Sequence, residues 1–271
     1  MTTHRSRSGW FIVLIVIAIA FIIYFVPRKE SKDAFPVVAT STPSSLEQKM
    51  VVVPKTIKEE SREGNYVINV TYPQLTGLSR SDAEIKINKN IKAKIDLVIK
   101  DFKTSNNDAI DPLPGAGAST FDATYSVQAN NTIPNVVSMR LVESFFDSGA
   151  AHPGHFIDTL NYNTSTGDVI SLDDLFSGTT YLERLSAYTR SELKKKIGGD
   201  ESASSQIETG TTPDEQNFLT FILADTGLIV VFQEYQVAAY AAGVQEILVP
   251  YSELMDIIDP NGPLGFILER Q

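Results

Sequence analysis

The sequence predicts an α+β fold in which antiparallel sheets pack with helices, carried behind one N-terminal transmembrane helix. Three observations predict it. Residues 9–26 run without a charge or a helix breaker. Tyr66–Tyr72 and Phe121–Val127 alternate apolar with polar residues, the period of a half-buried strand. Between them Ile87, Ile91, Ile95, Val98 and Phe102 recur at steps of four, four, three and four, which is helical spacing. Strand runs with helices between them, lacking a regular βαβ alternation, argue for α+β.

The N-terminal run, GWFIVLIVIAIAFIIYFV, spans roughly 27 Å as a helix, enough for a bilayer core. Trp10 and Tyr24 suit the two interfaces, and Pro27-Arg28-Lys29 closes the run. A cleaved signal peptide would have a shorter apolar stretch and a small-residue cleavage site, whereas here charges follow directly. Residues 10–27 are therefore read as an uncleaved membrane anchor, and residues 1–9 as a cytosolic stub. The flanking charges (Arg5 and Arg7 against Arg28, Lys29 and Lys32) do not orient it. Residues 28–62 read as a flexible linker, because Pro36, the Thr40–Ser45 stretch and Pro54 interrupt any period.

About 210 residues follow, enough for one large domain or two small ones. The first strand is expected to end at Pro73. Ser81 and Glu84 then have capping-box spacing at the head of the amphipathic helix, whose other face carries Lys86, Lys89, Lys92, Lys94 and Lys100. Such a stripe reads as a solvated face ahead of a polymer-binding one. Val136–Phe146 is a longer strand. Phe156–Tyr162 and Val169-Ile170 flank the turn-forming Thr164–Asp168. Thr180 and Glu183 again have capping-box spacing, opening a helix that stops at Gly198-Gly199. Asp200–Asn217 is polar and reads as a loop. Ala224-Asp225-Thr226-Gly227 joins two apolar runs as the clearest hairpin, Val244–Val249 adds a strand, and a closing helix starts at Pro250.

Four of the 23 basic residues precede residue 30 and all 33 acidic residues lie at or after it, leaving the remainder at net −14. That charge repels nucleic acid and favours basic partners, besides serving solubility. No cysteine is present, which excludes disulfides and Cys-ligated zinc. His152-Pro153-Gly154-His155 would need a third ligand such as Asp147 or Asp158 to bind a metal, and tight Pro-Gly turn chemistry is the stronger reading, so no metal and no cofactor is expected. Glu143, Asp147 and Asp158 are carboxylates that would suit glycoside chemistry if paired. Nucleophile-elbow, phosphate-loop and dinucleotide motifs are absent. Tyr235 and Tyr240, in YQVAAYAAG, are either rigid aromatic anchors for a partner or part of a packed connection.

Three stretches carry a resemblance. Asp147–Gly154, with Leu160-Asn161-Tyr162 and then Thr166-Gly167-Asp168 through Leu172–Phe176, resembles the GGAH, NYD and LxDLF pattern of the DUF3298 family. Leu223–Leu228 with Phe232, Tyr235–Gly243 and Val249–Leu254 is similar to that family's C-terminal half. Tyr72-Pro73-Gln74-Leu75 and Ile87-Asn88 resemble the companion DUF4163, or PdaC-type, domain. The resemblance divides the chain into a PdaC-like region at 63–135 and a DUF3298-like region at 136–260. In that family such regions lie outside the cytoplasmic membrane, in a lysozyme-sensing anti-sigma factor and ahead of the catalytic domain of a peptidoglycan deacetylase.

The resemblance thus implies a single-pass protein of the bacterial cytoplasmic membrane, its N-terminus inside and its globular region outside. A nine-residue stub leaves no room for an anti-sigma domain, and no deacetylase metal motif is found. The expected role is non-catalytic binding or sensing of a basic, lysozyme-like protein or of peptidoglycan, with His152, Asp147, Tyr235 and Tyr240 as binding residues. The alternatives are an envelope glycan-acting enzyme using the acids near His152, and a structural envelope interaction module.

Overall fold

The computed structural model describes residues 50–107, 117–130, 133–199 and 201–270. The expected membrane helix at residues 10–27 lies outside them. Among the described residues, no helix is long and apolar enough to cross a membrane.

Strands β1 (Val51–Ser61) and β2 (Tyr66–Thr76) form an antiparallel hairpin, so the linker expected up to residue 62 gives way to a strand at Val51. Pro54 does not interrupt it, because β1 is the edge of its sheet. Pro54 faces Pro73, and there β2 pairs with β1 alone, so neither ring removes a bond to a third strand. For the same reason β2 runs past Pro73 to Thr76.

Helix α1 (Ser81–Asn107) lays Ile87, Ile91, Ile95 and Phe102 on this sheet, all buried as their spacing requires. Its start is fixed differently from the expected capping box: the Glu84 carboxylate accepts the Leu78 N–H at 3.0 Å. Asn88 ties the helix to the end of β2, accepting the Leu75 N–H at 2.7 Å and donating to the Leu75 carbonyl at 2.8 Å.

The 27-residue helix carries the chain back along the sheet, and β3 (Ser119–Asn130) therefore runs parallel to β2 over Tyr66–Val70. The expectation of purely antiparallel sheets fails at this one pair. β4 (Val136–Phe146) and β5 (Gly154–Asn163) complete the order β1-β2-β3-β4-β5, both antiparallel to their neighbours. Val169 makes only an isolated bridge to Tyr162 instead of a full strand.

Helices α2 (Tyr181–Ile197) and α3 (Glu201–Gly210) follow. The Thr180 side chain makes no cap bond. α3 occupies part of the expected loop: its Ser/Thr-rich sequence hides one core contact, the fully buried Ile207. Tertiary packing overrides weak propensity there. A second, antiparallel sheet comprises β6 (Phe221–Ala224), β7 (Gly227–Phe232) and β8 (Gln245–Pro250), its first hairpin turning at Ala224–Gly227 as expected. The residues after Pro250 form a short 3-10 turn.

Alternation along these strands sets the layers. Phe221, Leu223, Leu228, Val230 and Phe232 join the core shared with Leu185 and Leu193 of α2, while Ile222 and Val231 pack with Ile157 of β5. The second sheet thus rests on the face of the first sheet that α1 leaves uncovered. Its seam is partly polar: Ser138 donates to Asn161 Oδ1 at 2.5 Å, Asn161 donates to the Phe221 carbonyl at 2.9 Å, and the Leu223 N–H reaches Ser138 Oγ at 3.1 Å.

Candidate functional site

The loop before β5 and the segment after β7 meet at the surface. His152 lies on the ring of Tyr240 with centroids 3.9 Å apart and planes 24° apart. Tyr240 in turn stacks on Tyr235 at 5.7 Å and 30°. The sequence spacing of 88 residues gave no hint that His152 and Tyr240 would touch. Tyr240 is further fixed because its hydroxyl donates to the Pro153 carbonyl at 2.9 Å. One turn on, Glu234 accepts the His155 backbone N–H at 3.2 Å and lies 3.0 Å from His155 Nδ1. The two histidines therefore diverge, one onto Tyr240 and one onto Glu234. Among the described residues, no group of three or more His, Asp or Glu is placed to hold a metal.

Tyr235 is held in an uncommon backbone state. Its φ is +67°, left-handed for a residue with a Cβ, and its side chain remains 45% exposed. Gln206 of α3 donates to its carbonyl at 2.9 Å. Left-handed backbone at a bulky residue is disfavoured and persists where neighbouring contacts over-determine it. Here those contacts keep an aromatic ring at the surface. Beside it, an open groove of about 910 Å3 runs along α3 from Glu201 to Thr209, bordered by Tyr235 and Gln236.

Asp147, the fourth residue expected at this site, is not part of the stack. Its carbonyl accepts the Ala150 N–H at 2.8 Å in the preceding turn, and its exposed carboxyl is shifted up by partial desolvation. Glu234 and Gln206 belong to the site but carry no sequence signal: one is an isolated acid, the other lies in a stretch that reads as a loop.

A second constellation is buried. Leu141 of β4 faces Asp158 of β5, which places Glu143 diagonally beside Asp158 on the α1 side of the sheet. Both are nearly buried, at 5% and 8% exposure. Lys94 of α1 reaches Asp158 Oδ2 at 2.5 Å, so this member of the lysine stripe turns inward instead of sharing the solvated face. Below it the Tyr162 hydroxyl donates to Asn90 Oδ1 at 3.0 Å. Among the described residues Glu143 Oε1 has no hydrogen-bond partner, and one lysine stands against two carboxylates. Burial, reinforced by the Asp158 charge, pushes the Glu143 carboxyl up to about 8. This pair sits under α1, nearly buried, and offers a polymer no access.

Residues 173–252 match the family described as Protein of unknown function (DUF3298), and residues 59–155 match Deacetylase PdaC. The chain is 35% identical over 113 residues to Peptidoglycan-N-acetylmuramic acid deacetylase PdaC of Bacillus subtilis, covering 41% of this chain and 24% of that one. It is 28% identical over 134 residues to Esterase Rv3036c of Mycobacterium tuberculosis, covering 49% and 57%. These two curated relatives are thus matched over less than two thirds of their length. Anti-sigma-V factor RsiV of Bacillus subtilis matches more extensively, 24% identical over 211 residues, covering 74% of this chain and 68% of that one. The crystal structure of a DUF3298 member from Bacteroides fragilis has a similar fold, with a TM-score of 0.59 at 16% identity over 82% of this chain and 98% of that one.

Proposed function

This chain carries a PdaC-type region followed by a DUF3298 region, and from that premise we propose that its globular part is an extracytoplasmic, non-catalytic sensing domain on a membrane-anchored protein. Its ligand is a protein or a cell-wall component, met by the surface where His152, Tyr240 and Tyr235 stack. The observation that carries this is Tyr235, a bulky aromatic held exposed at φ +67° by the bond from Gln206 and the ring of Tyr240. A pre-formed aromatic anchor loses little side-chain freedom on binding, which is how a few residues come to dominate an interface.

Two further observations support the reading. The match to Anti-sigma-V factor RsiV spans 74% of this chain and 68% of that one. The domain's acidic balance suits a basic protein partner of the lysozyme kind. Catalysis by the acids near His152 draws on the names of two relatives, but Glu143 and Asp158 are enclosed beneath α1 and Asp147 stands apart from the stack.

The test is binding of the purified chain to hen lysozyme and to soluble peptidoglycan fragments. Tyr240→Ala is expected to weaken binding by at least about tenfold with an unchanged melting temperature. Binding of neither, or turnover of acetylated glycan abolished by His152→Ala, would overturn the proposal.

A further inference from the structure

We infer that the groove beside Tyr235 takes a neutral glycan chain, one sugar ring resting on the Tyr235 ring and its neighbours running along α3. The inference deepens the sensing reading above by choosing between its two ligand classes, and it rests on that reading. The groove is open along its length, as a polymer site must be, and the stretch of α3 from Glu201 to Thr209 that walls it is about 12 Å long, enough for about two sugar rings. One of its borders is aromatic. Tyr235, which stacks on Tyr240 and stays 45% exposed, lines the groove.

Along α3 the wall is Ser202, Ser205, Gln206 and Thr209, uncharged side chains with hydroxyl and amide groups, and Glu201 is the single charge among the lining residues. Hydroxyls and amides both donate and accept, which matches the alternating hydroxyls of a sugar. The apolar C–H face of a pyranose covers an aromatic ring in the way apolar surface covers Tyr elsewhere.

The same lining fits a protein poorly. Apart from Tyr235 this wall has no apolar side chain and no cluster of charge to receive an anchoring side chain from a protein. Rigidity completes the argument. Gly210 lies so close to Gln236 that an added Cβ would stand 2.1 Å from its carbonyl oxygen, and Gln236 donates back to the Gly210 carbonyl at 3.3 Å. With the Gln206 bond to Tyr235, both walls are locked to each other, so the groove is formed before a ligand arrives.

The experiment titrates the full-length chain with chitotetraose and cellotetraose, read by saturation-transfer NMR, alongside lysozyme. At least one tetrasaccharide is expected to bind, with an affinity that changes little between roughly 0.05 and 0.5 M salt, since no ion pair is involved. Tyr235→Ala is expected to weaken it about tenfold, Tyr235→Phe to leave it unchanged, and Ser205→Tyr, filling the groove from the opposite wall, to abolish it. Absence of tetrasaccharide binding, or binding indifferent to all three variants, overturns the inference. Should lysozyme bind in a Tyr240-dependent way while neither sugar does, the sensing reading stands and the glycan assignment falls. Should nothing bind, both fall.

Discussion

Replacing Glu143 by glutamine tests the buried pair and, through it, how α1 is seated. The folded carboxyl is raised to about 8 from an ordinary 4.5, because burial and the Asp158 charge oppose ionisation while Lys94 compensates only one acid. A raised folded value means that the stability conferred by this group is complete below pH 4.5 and is lost as pH rises through 8. Each pH unit in that window costs about 1.4 kcal/mol, which by pH 7 amounts to on the order of 3 kcal/mol. Glutamine mimics the protonated acid at nearly equal volume and presents an amide to Asp158.

Urea denaturation of wild type and Glu143→Gln between pH 4.5 and 8.5 should therefore show equal stability at the acid end and a variant more stable by about 3 kcal/mol at pH 7. The other titrating groups are shared, so the difference reports Glu143 together with the Asp158 charge that faces it. A pH-independent gap, or a variant less stable at pH 7, would refute the reasoning.

Three further substitutions probe the frame. Lys94→Met leaves the buried Asp158 without its countercharge, and chemical denaturation at pH 7 should record a loss of about 3 kcal/mol. Asn161→Ala weakens the seam between the sheets, stranding the Phe221 carbonyl and removing the acceptor of the Ser138 hydroxyl, and a loss of about 2 kcal/mol is expected in the same assay. Gly210→Ala forces a Cβ against the Gln236 carbonyl, so hydrogen exchange in α3 should speed up well before global unfolding changes.

Much of the frame was legible because one face of each element carries the core. The isoleucine steps of α1 and the Ala224–Gly227 hairpin appear in the structure where the periodicity put them. What was not legible depends on neighbours. Pro54 reads as a breaker until it is known to lie on an edge strand. α3 reads as a loop because a single buried Ile207 gives no period. The direction of β3 follows from where the long helix delivers the chain, which spacing does not encode.

The site divides in the same way. His152, Tyr235 and Tyr240 stood out as a turn histidine and two tyrosines among small residues, and they do converge. Asp147 reads as a possible third ligand or acid beside His152, whereas in the structure its carbonyl closes the turn by accepting the Ala150 N–H. Glu143 and Asp158 become a pair only once the register of β4 on β5 is known, and that same register encloses them under α1.

Hydrogen-exchange footprinting of the full-length chain, saturated with whichever of lysozyme or chitotetraose binds more tightly, tests the recognition surface most directly. The account predicts that new protection gathers on the loop holding His152, along α3 and over the Glu234–Tyr240 segment. Protection confined to β1 or to the outer face of α1, with none at these three segments, would contradict it.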